Sequence, residues 1–324
     1  MKTARAHNVP VRSLLALALC AAASAAFADK AAATDLTITT EGDAAKALDR
    51  SFAFSADGVI EVSNVRGSVT ITGGGSSEVK LGGSLGVGSK LVVEGDAKRL
   101  EMRVESEKDG WFGGHGSGGD TSLVLNVPHG VSVKLDVVSA NSKVENIDGK
   151  SIEVDNVSGN VRVDGAARNI EVDSVSGDVT LQVTRAGATE RTHLQTVSGD
   201  IRASGADGRV KLETVSGTLV FNAPTVSEFN AESVSGSIDG GFAPSKGARI
   251  RGETMSGNLV LRLPADLAAR IHAETFSGTL KTDYGKVVKA EHGPGTTLDV
   301  DNSDGSGTRI DAQAFSGNLT LRKQ

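Results

Sequence analysis

The chain has 324 residues and a formal net charge of −6, with no cluster of Lys or Arg, which excludes the basic footprint of a nucleic-acid binder. Aromatic side chains make up 3% of it, too few for a sugar-binding platform of stacked rings. Its one cysteine, Cys20, excludes a framework of internal disulfides, so stability must come from packing.

Residues 1–28 read as a signal peptide. Lys2, Arg5 and Arg12 form a positive n-region, Leu14 to Ala23 an apolar h-region, and Ala26-Phe27-Ala28 a cleavage site of the A-x-A type. Leu17-Ala18-Leu19-Cys20 resembles a lipobox, but Leu19 stands where a small residue is expected. Cleavage after Ala28 removes three cations and no acid, taking the net charge from −6 to −9, and removes Cys20. No later apolar run approaches about 18 residues, so no transmembrane segment is expected after cleavage. Residues 29–50 are rich in Ala and Thr with little pattern, and read as a mobile leader with a short helical piece.

Residues 51–130 read as an N-terminal β cap over an open strand edge. Residues 60–71 alternate like one coil of the repeat described below, with Arg66 in its Ser place. Lys90-Leu91-Val92-Val93-Glu94 and Leu100-Glu101-Met102-Arg103-Val104 flank Gly95-Asp96 and read as a hairpin. A Gly-rich loop over residues 110–120 follows, and at its start stand Trp111, the chain's one tryptophan, and Phe112. This pair reads as a partner-binding anchor if exposed, or as part of the cap's core if folded back.

From residue 131 to 324 one pattern recurs: an apolar residue, Ser-Gly, then a second alternating run. The serines are Ser158, Ser176, Ser198, Ser216, Ser235, Ser256, Ser277 and Ser316, spaced 18, 22, 18, 19, 21, 21 and 39 residues apart, so the last gap reads as two periods. A period of about 20 residues is the mark of a solenoid. The predicted fold is therefore all-β: a parallel β-solenoid of about 20-residue coils with an N-terminal β cap containing the hairpin.

With each Ser numbered zero, position −6 holds Ile152, Ile170, Val210, Phe229, Ile250, Ile271 and Ile310, with Thr192 the exception. Position +3 holds Val, Ile or Leu throughout. Position −4 is also apolar or small, from Val154 to Ala312, and position −1 is Val, Met or Phe. Inward columns at −6, −4, −1 and +3 require a slip in the alternation, as a bulge or corner gives. Val133 to Val144 fits with Ser139, but Ala140 replaces Gly, so the Gly is expected to serve close packing at the corner rather than a positive φ alone. A single coil cannot bury enough to stand alone, and stacking must supply the rest.

Leu123-Val124-Leu125-Asn126-Val127-Pro128-His129-Gly130-Val131, leading from the hairpin into the Val-Ser-Gly coils, resembles a bacterial β-strand-repeat family of exported envelope proteins named as adhesins by inference, essentially a domain of unknown function. The resemblance covers roughly residues 51–324. It implies a β-solenoid and an exported location, and it carries over no catalytic residues.

The eight serines share one structural position, whereas a nucleophile needs a base of its own, so they read as corner residues. A small polar column at −2 (Asn156, Ser174, Thr196, Thr214, Ser233, Thr254, Thr275) reads as bonding along the axis. Position −3 holds Asp155, Asp173, Gln195, Glu213, Glu232, Glu253, Glu274 and Gln313. In register these make a carboxylate stripe, either a groove for cations or a basic partner, or a solvated edge that blocks lateral aggregation. The loop glycines and Asp299, Asp301 and Asp304 lack the spacing of a calcium site, and the histidines lack metal spacing, so no cofactor or metal is expected.

The chain therefore reads as a non-catalytic exported module of the bacterial envelope, periplasmic or at the surface, structural or adhesive, with an unidentified envelope component as partner. Its candidate contact residues are Trp111 and Phe112 with the carboxylates Asp155, Asp173, Glu213, Glu232, Glu253 and Glu274. Two alternatives stand. One is a polysaccharide-active β-helix enzyme, for which the nearest mixed patch is His193, Lys211, Arg251 and His272 beside the Glu column. The other is a sensing protein recruited, or self-associating, through an open strand edge at the Leu319 to Arg322 end.

Overall fold

The computed structural model describes residues 36–39, 45–106, 119–289, 294–303, 305 and 307–324. Every regular element among them is a β-strand. Each coil is a flattened loop of two strands: one before Ser-Gly on a first face, and one after it on a second face. Ser151–Ser158 and Val161–Gly165 form one coil, Asn169–Ser176 and Val179–Val183 the next. Parallel pairing sets Ile152 against Ile170, Val154 against Val172 and Val161 against Val179. The same register carries on through Thr192, Val210, Phe229 and Ile250.

Between the faces lies one continuous apolar core, filled from positions −6, −4, +3 and +5. Where the columns hold small residues, rings fill the space. Phe221, Phe229 and Phe242 pack together at centroid distances of 5.1, 4.6 and 5.8 Å, beside Ala231 and Gly240. The Ser-Gly corner brings rungs close. A Cβ on Gly177, at φ +147°, would fall on the carbonyl oxygen of Gly159 one rung below, so close approach fixes this glycine.

The coils from residue 132 to 263 stack in chain order. At both ends the order changes. Val59–Gly74 lies between Ser132–Ile147 on one side and the strands Arg99–Ser106 and Thr121–Pro128 on the other. At the far end, Arg309–Ser316 and Leu319–Lys323 lie between the coil of residues 249–263 and the coil of residues 270–282. The gap between Ser277 and Ser316 therefore does not hold a second solenoid period. It holds Thr296–Asp301, antiparallel to Arg270–Thr275, and the chain's last strand is an interior one rather than an open edge.

Further antiparallel strands cover the N-terminal rung. Ser89–Gly95 pairs with Arg99–Ser106, as the hairpin predicted, and Leu36–Thr39 pairs with Ser89–Gly95. Glu78–Leu85 pairs with Thr121–Pro128, and Lys46–Ala53 with Glu78–Leu85. Residues 36–39 and 46–50 are thus edge strands, where composition alone implied an unpatterned leader. Short strands with exposed charges, such as Lys46, Asp49 and Arg50, suit an outer edge.

Candidate interaction surface

The first-face strands place side chains at −5, −3 and −1 outward, because period-two alternation runs unbroken from −6 through −2. Position −2 is buried, and position −1 is not. This corrects the expected slip at the corner. In spatial order the −1 file is Val65, Val138, Val157, Val175, Val197, Val215, Val234, Met255, Phe315 and Phe276. Val197 and Val234 are half-buried and the rest exposed, with Met255 at 59%, Phe315 at 58% and Phe276 at 53%. The two phenylalanine rings stack face to face, 4.9 Å apart with 6° between planes.

Position −2 turns inward by strand parity, and at three rungs its side chain meets a corner carbonyl. Asn156 Nδ2 donates to Gly159 O at 2.8 Å and to Ser174 Oγ at 3.0 Å. Thr254 Oγ1 donates to Gly236 O and Thr275 Oγ1 to Gly317 O, both at 3.2 Å. At these three rungs the −2 side chain satisfies a corner carbonyl, whereas the buried hydroxyls of Thr196, Thr214 and Ser233 in the same column make no hydrogen bond. Sequence reasoning gave the inward place to the apolar −1 residue and missed this exchange. The signal was parity: −1 shares its phase with the charged −3 and −5 positions, not with −6 and −4.

A second ladder, also missed, runs along position +2. Asn160 N donates to Asn141 Oδ1, Asp178 N to Asn160 Oδ1, Asp200 N to Asp178 Oδ1 and Thr218 N to Asp200 Oδ1, at 2.8 to 3.1 Å. The corner is therefore fixed from both sides of an exposed serine file. Ser158, Ser176, Ser198 and Ser216 stand rung over rung.

The −3 column forms in register: Asp136, Asp155, Asp173, Gln195, Glu213, Glu232, Glu253, then Gln313 and Glu274. The inserted last coil places Gln313 between Glu253 and Glu274. Cations at −5 reach several of these acids. Lys211 Nζ lies 2.7 Å from Glu213, His193 Nε2 2.9 Å from Glu213, and Arg251 Nε 2.7 Å from Glu253. Lys134 bridges Glu153 and Asp155.

The hydrogen bond from His193, with Lys211 beside it, pulls Glu213 down to about 2, and the same bond raises His193. Burial pushes Asp136 up to about 6 and also raises Asp173. His272 is raised by its 2.7 Å contact with Asp299. The mixed patch of His193, Lys211, Arg251 and His272 is thus one file on the outer face, each member engaged with an acid.

Trp111 and Phe112 lie outside the described residues. Among the described residues no three His, Cys, Asp or Glu side chains gather so as to hold a metal ion, and no helix is long and apolar enough to cross a membrane.

The family profile described as Toastrack DUF4097 matches residues 58–322. No curated protein matches the chain. Among solved structures, one described as a candidate cell adhesion protein from Clostridium sporogenes is 12% identical, covering 86% of this chain and 100% of that one at a TM-score of 0.28. Another, described as a candidate adhesin from Bacteroides fragilis, is 13% identical, covering 85% and 97% of the two chains at a TM-score of 0.39. With its strands laid rung upon rung across almost the whole matched span, this chain belongs to the Toastrack DUF4097 family.

Proposed function

We propose that the protein is a non-catalytic, exported interaction module of the bacterial envelope, and that it makes contact through the outward −1 file and the acidic file beside it. The observation that carries this reading is the file itself: ten apolar side chains facing outward on ten successive rungs, eight of them exposed. Single exposed valines are ordinary on a soluble protein, but a contiguous apolar strip is a mark of an interaction site. The Met255–Phe315–Phe276 end has the residue types enriched at interface centres. Export, to the periplasm or the cell surface, is supported by the charged, apolar and A-x-A pattern of residues 1–28.

A non-catalytic role is supported by the regularity of the polar groups. Serines recur at nine of the ten corners, Arg66 taking the place in the first coil, and the mixed patch is spread along one file instead of converging on a reacting atom.

The test replaces Met255, Phe276 and Phe315 together by Ser. Their exposure predicts an unchanged melting temperature. Recovery with the envelope fraction of fractionated cells should fall at least about fivefold, as for the loss of an interface centre. Unchanged recovery would remove the file from the contact surface.

A further inference from the structure

The outward −1 file, on the reading that it is a contact surface, also identifies its occupant. We propose that it pairs with a second copy of this chain, two solenoids lying side by side and pointing the same way, corner file against corner file.

Pitch is the first ground. The file presents one apolar side chain per rung at about 4.8 Å, over roughly 43 Å of described length. A partner that fills every gap along it must carry apolar groups at the same interval. A second copy does so by construction, rung level with rung, and the two files close into a dry interface.

Area is the second ground. With exposures between 37% and 59% for eight members and less for Val197 and Val234, the file offers roughly 700 Å² of surface per copy, most of it apolar, close to the about 800 Å² a side of a stable interface. Its apolar part lies at the upper end of the about 300–600 Å² of the largest patch on a typical monomer.

Charge then selects the orientation. The −3 carboxylates flank the file on one side and the exposed serines of position zero on the other. An antiparallel pair sets acid file over acid file, whereas a two-fold axis along the solenoid sets each acid file over the other copy's hydroxyls, which can donate to it. The parallel pair also sets Phe276 and Phe315 against their own counterparts and valine against valine.

The experiment is sedimentation of the purified protein up to about 100 µM, with circular dichroism melting as the folding check. A mass of twice the monomer is expected. Val175→Lys with Val215→Lys, both on exposed positions, should melt as the parent does and sediment as a monomer. In a Cys20→Ser background, Met255→Cys should form a disulfide with itself between copies, as only the parallel pair allows so far from the centre of the file.

A monomer throughout the range, a dimer that survives the lysine pair, or a dimer without the Met255→Cys cross-link would each overturn the proposal. The contact-surface reading has its own readout. A monomer whose envelope recovery still depends on Met255, Phe276 and Phe315 ends the second-copy proposal alone, whereas a lysine-sensitive dimer with no such dependence ends the envelope reading alone.

Discussion

The middle of this solenoid and its two ends are made of the same coil and assembled by different rules. From residue 132 to 263 each coil lies on the one before it in the chain. At either end the outermost rung is a coil from further inside the chain, and the first or last coil is slipped beneath it. The columns that define a coil are equally good on any neighbour: Ile250 rests against Ile310 as Ile310 does against Ile271. Repetition therefore specifies the rung without specifying its place. Place is set at the ends by connections and caps, such as Thr296–Asp301 against Arg270–Thr275. The same arrangement gives each terminal coil two neighbours instead of one, and leaves the outer edges to short or antiparallel strands, which are poor templates for further pairing.

The strongest way to break this comparison is to remove the inserted coil. Deleting residues 309–324 takes away both ladders that hold the coil of residues 270–282 and its antiparallel cover. It also removes Arg322 from beside the Tyr284 hydroxyl, which donates to Leu263 O at 2.7 Å from the outer rung. Amides in residues 270–301 should lose protection against hydrogen exchange on the order of a hundredfold, about 3 kcal/mol, while residues 151–216 keep theirs, since solenoid stability is local. Retained protection in residues 270–301 would mean that the outer coil docks directly on residues 249–263, and that end order is arbitrary.

What could be read from residues alone follows the same division. The Ser-Gly phase and the period-two columns located the rungs of the middle, the hairpin at Gly95-Asp96 and the carboxylate register, because each is a local pattern tied to backbone geometry. Rung order at the ends could not be read, since Ile271 and Ile310 carry the same pattern and nothing local tells them apart. The strand Lys46–Ala53 was hidden for a different reason: an edge strand buries little, and this one has one buried residue, Leu48. The outward file was misread because apolar identity was weighed above parity. Val157 is exposed and Asn156 buried because strand parity turns −2 inward, where Asn156 meets a corner carbonyl, and leaves the valine outside.

A sharper test of the middle acts on a single atom. Gly177→Ala places a methyl group on the Gly159 carbonyl, in a backbone region that L side chains rarely adopt. Backbone against backbone cannot yield as a side chain can, so a loss of about 3 kcal/mol is expected in denaturant unfolding. Gly75→Ala, where an added Cβ meets nothing within 4 Å, is the control and should stay within about 0.5 kcal/mol of the parent. Equal effects at the two sites would show that the corner glycines are not fixed by rung-to-rung approach.

The smallest effect probes the seam between the two regimes, where the first in-order coil meets the inserted one. Asp136 stands in register with Ser63 on that side and Asp155 on the other. Burial is the main cause that raises it to about 6, with Asp155 and Glu153 adding to the rise and Lys134 opposing it. A carboxyl raised in the folded state from 3.8 to about 6 is held more easily as the acid than as the anion. Its ionisation therefore costs nothing below about pH 4, costs progressively more up to about pH 6, and takes its full toll above that. Asp136→Asn removes that penalty. The variant should match the parent near pH 3.5 and exceed it near pH 7.5 by about 1 kcal/mol, the full two-unit figure being reduced for partial solvation. Melting curves at the two pH values give the difference directly. A variant less stable than the parent at the higher pH would mean that the Asp136 anion is held by Lys134 strongly enough to outweigh its burial, and that the seam is an ion-paired joint like the Lys211–Glu213 contact further along the same face.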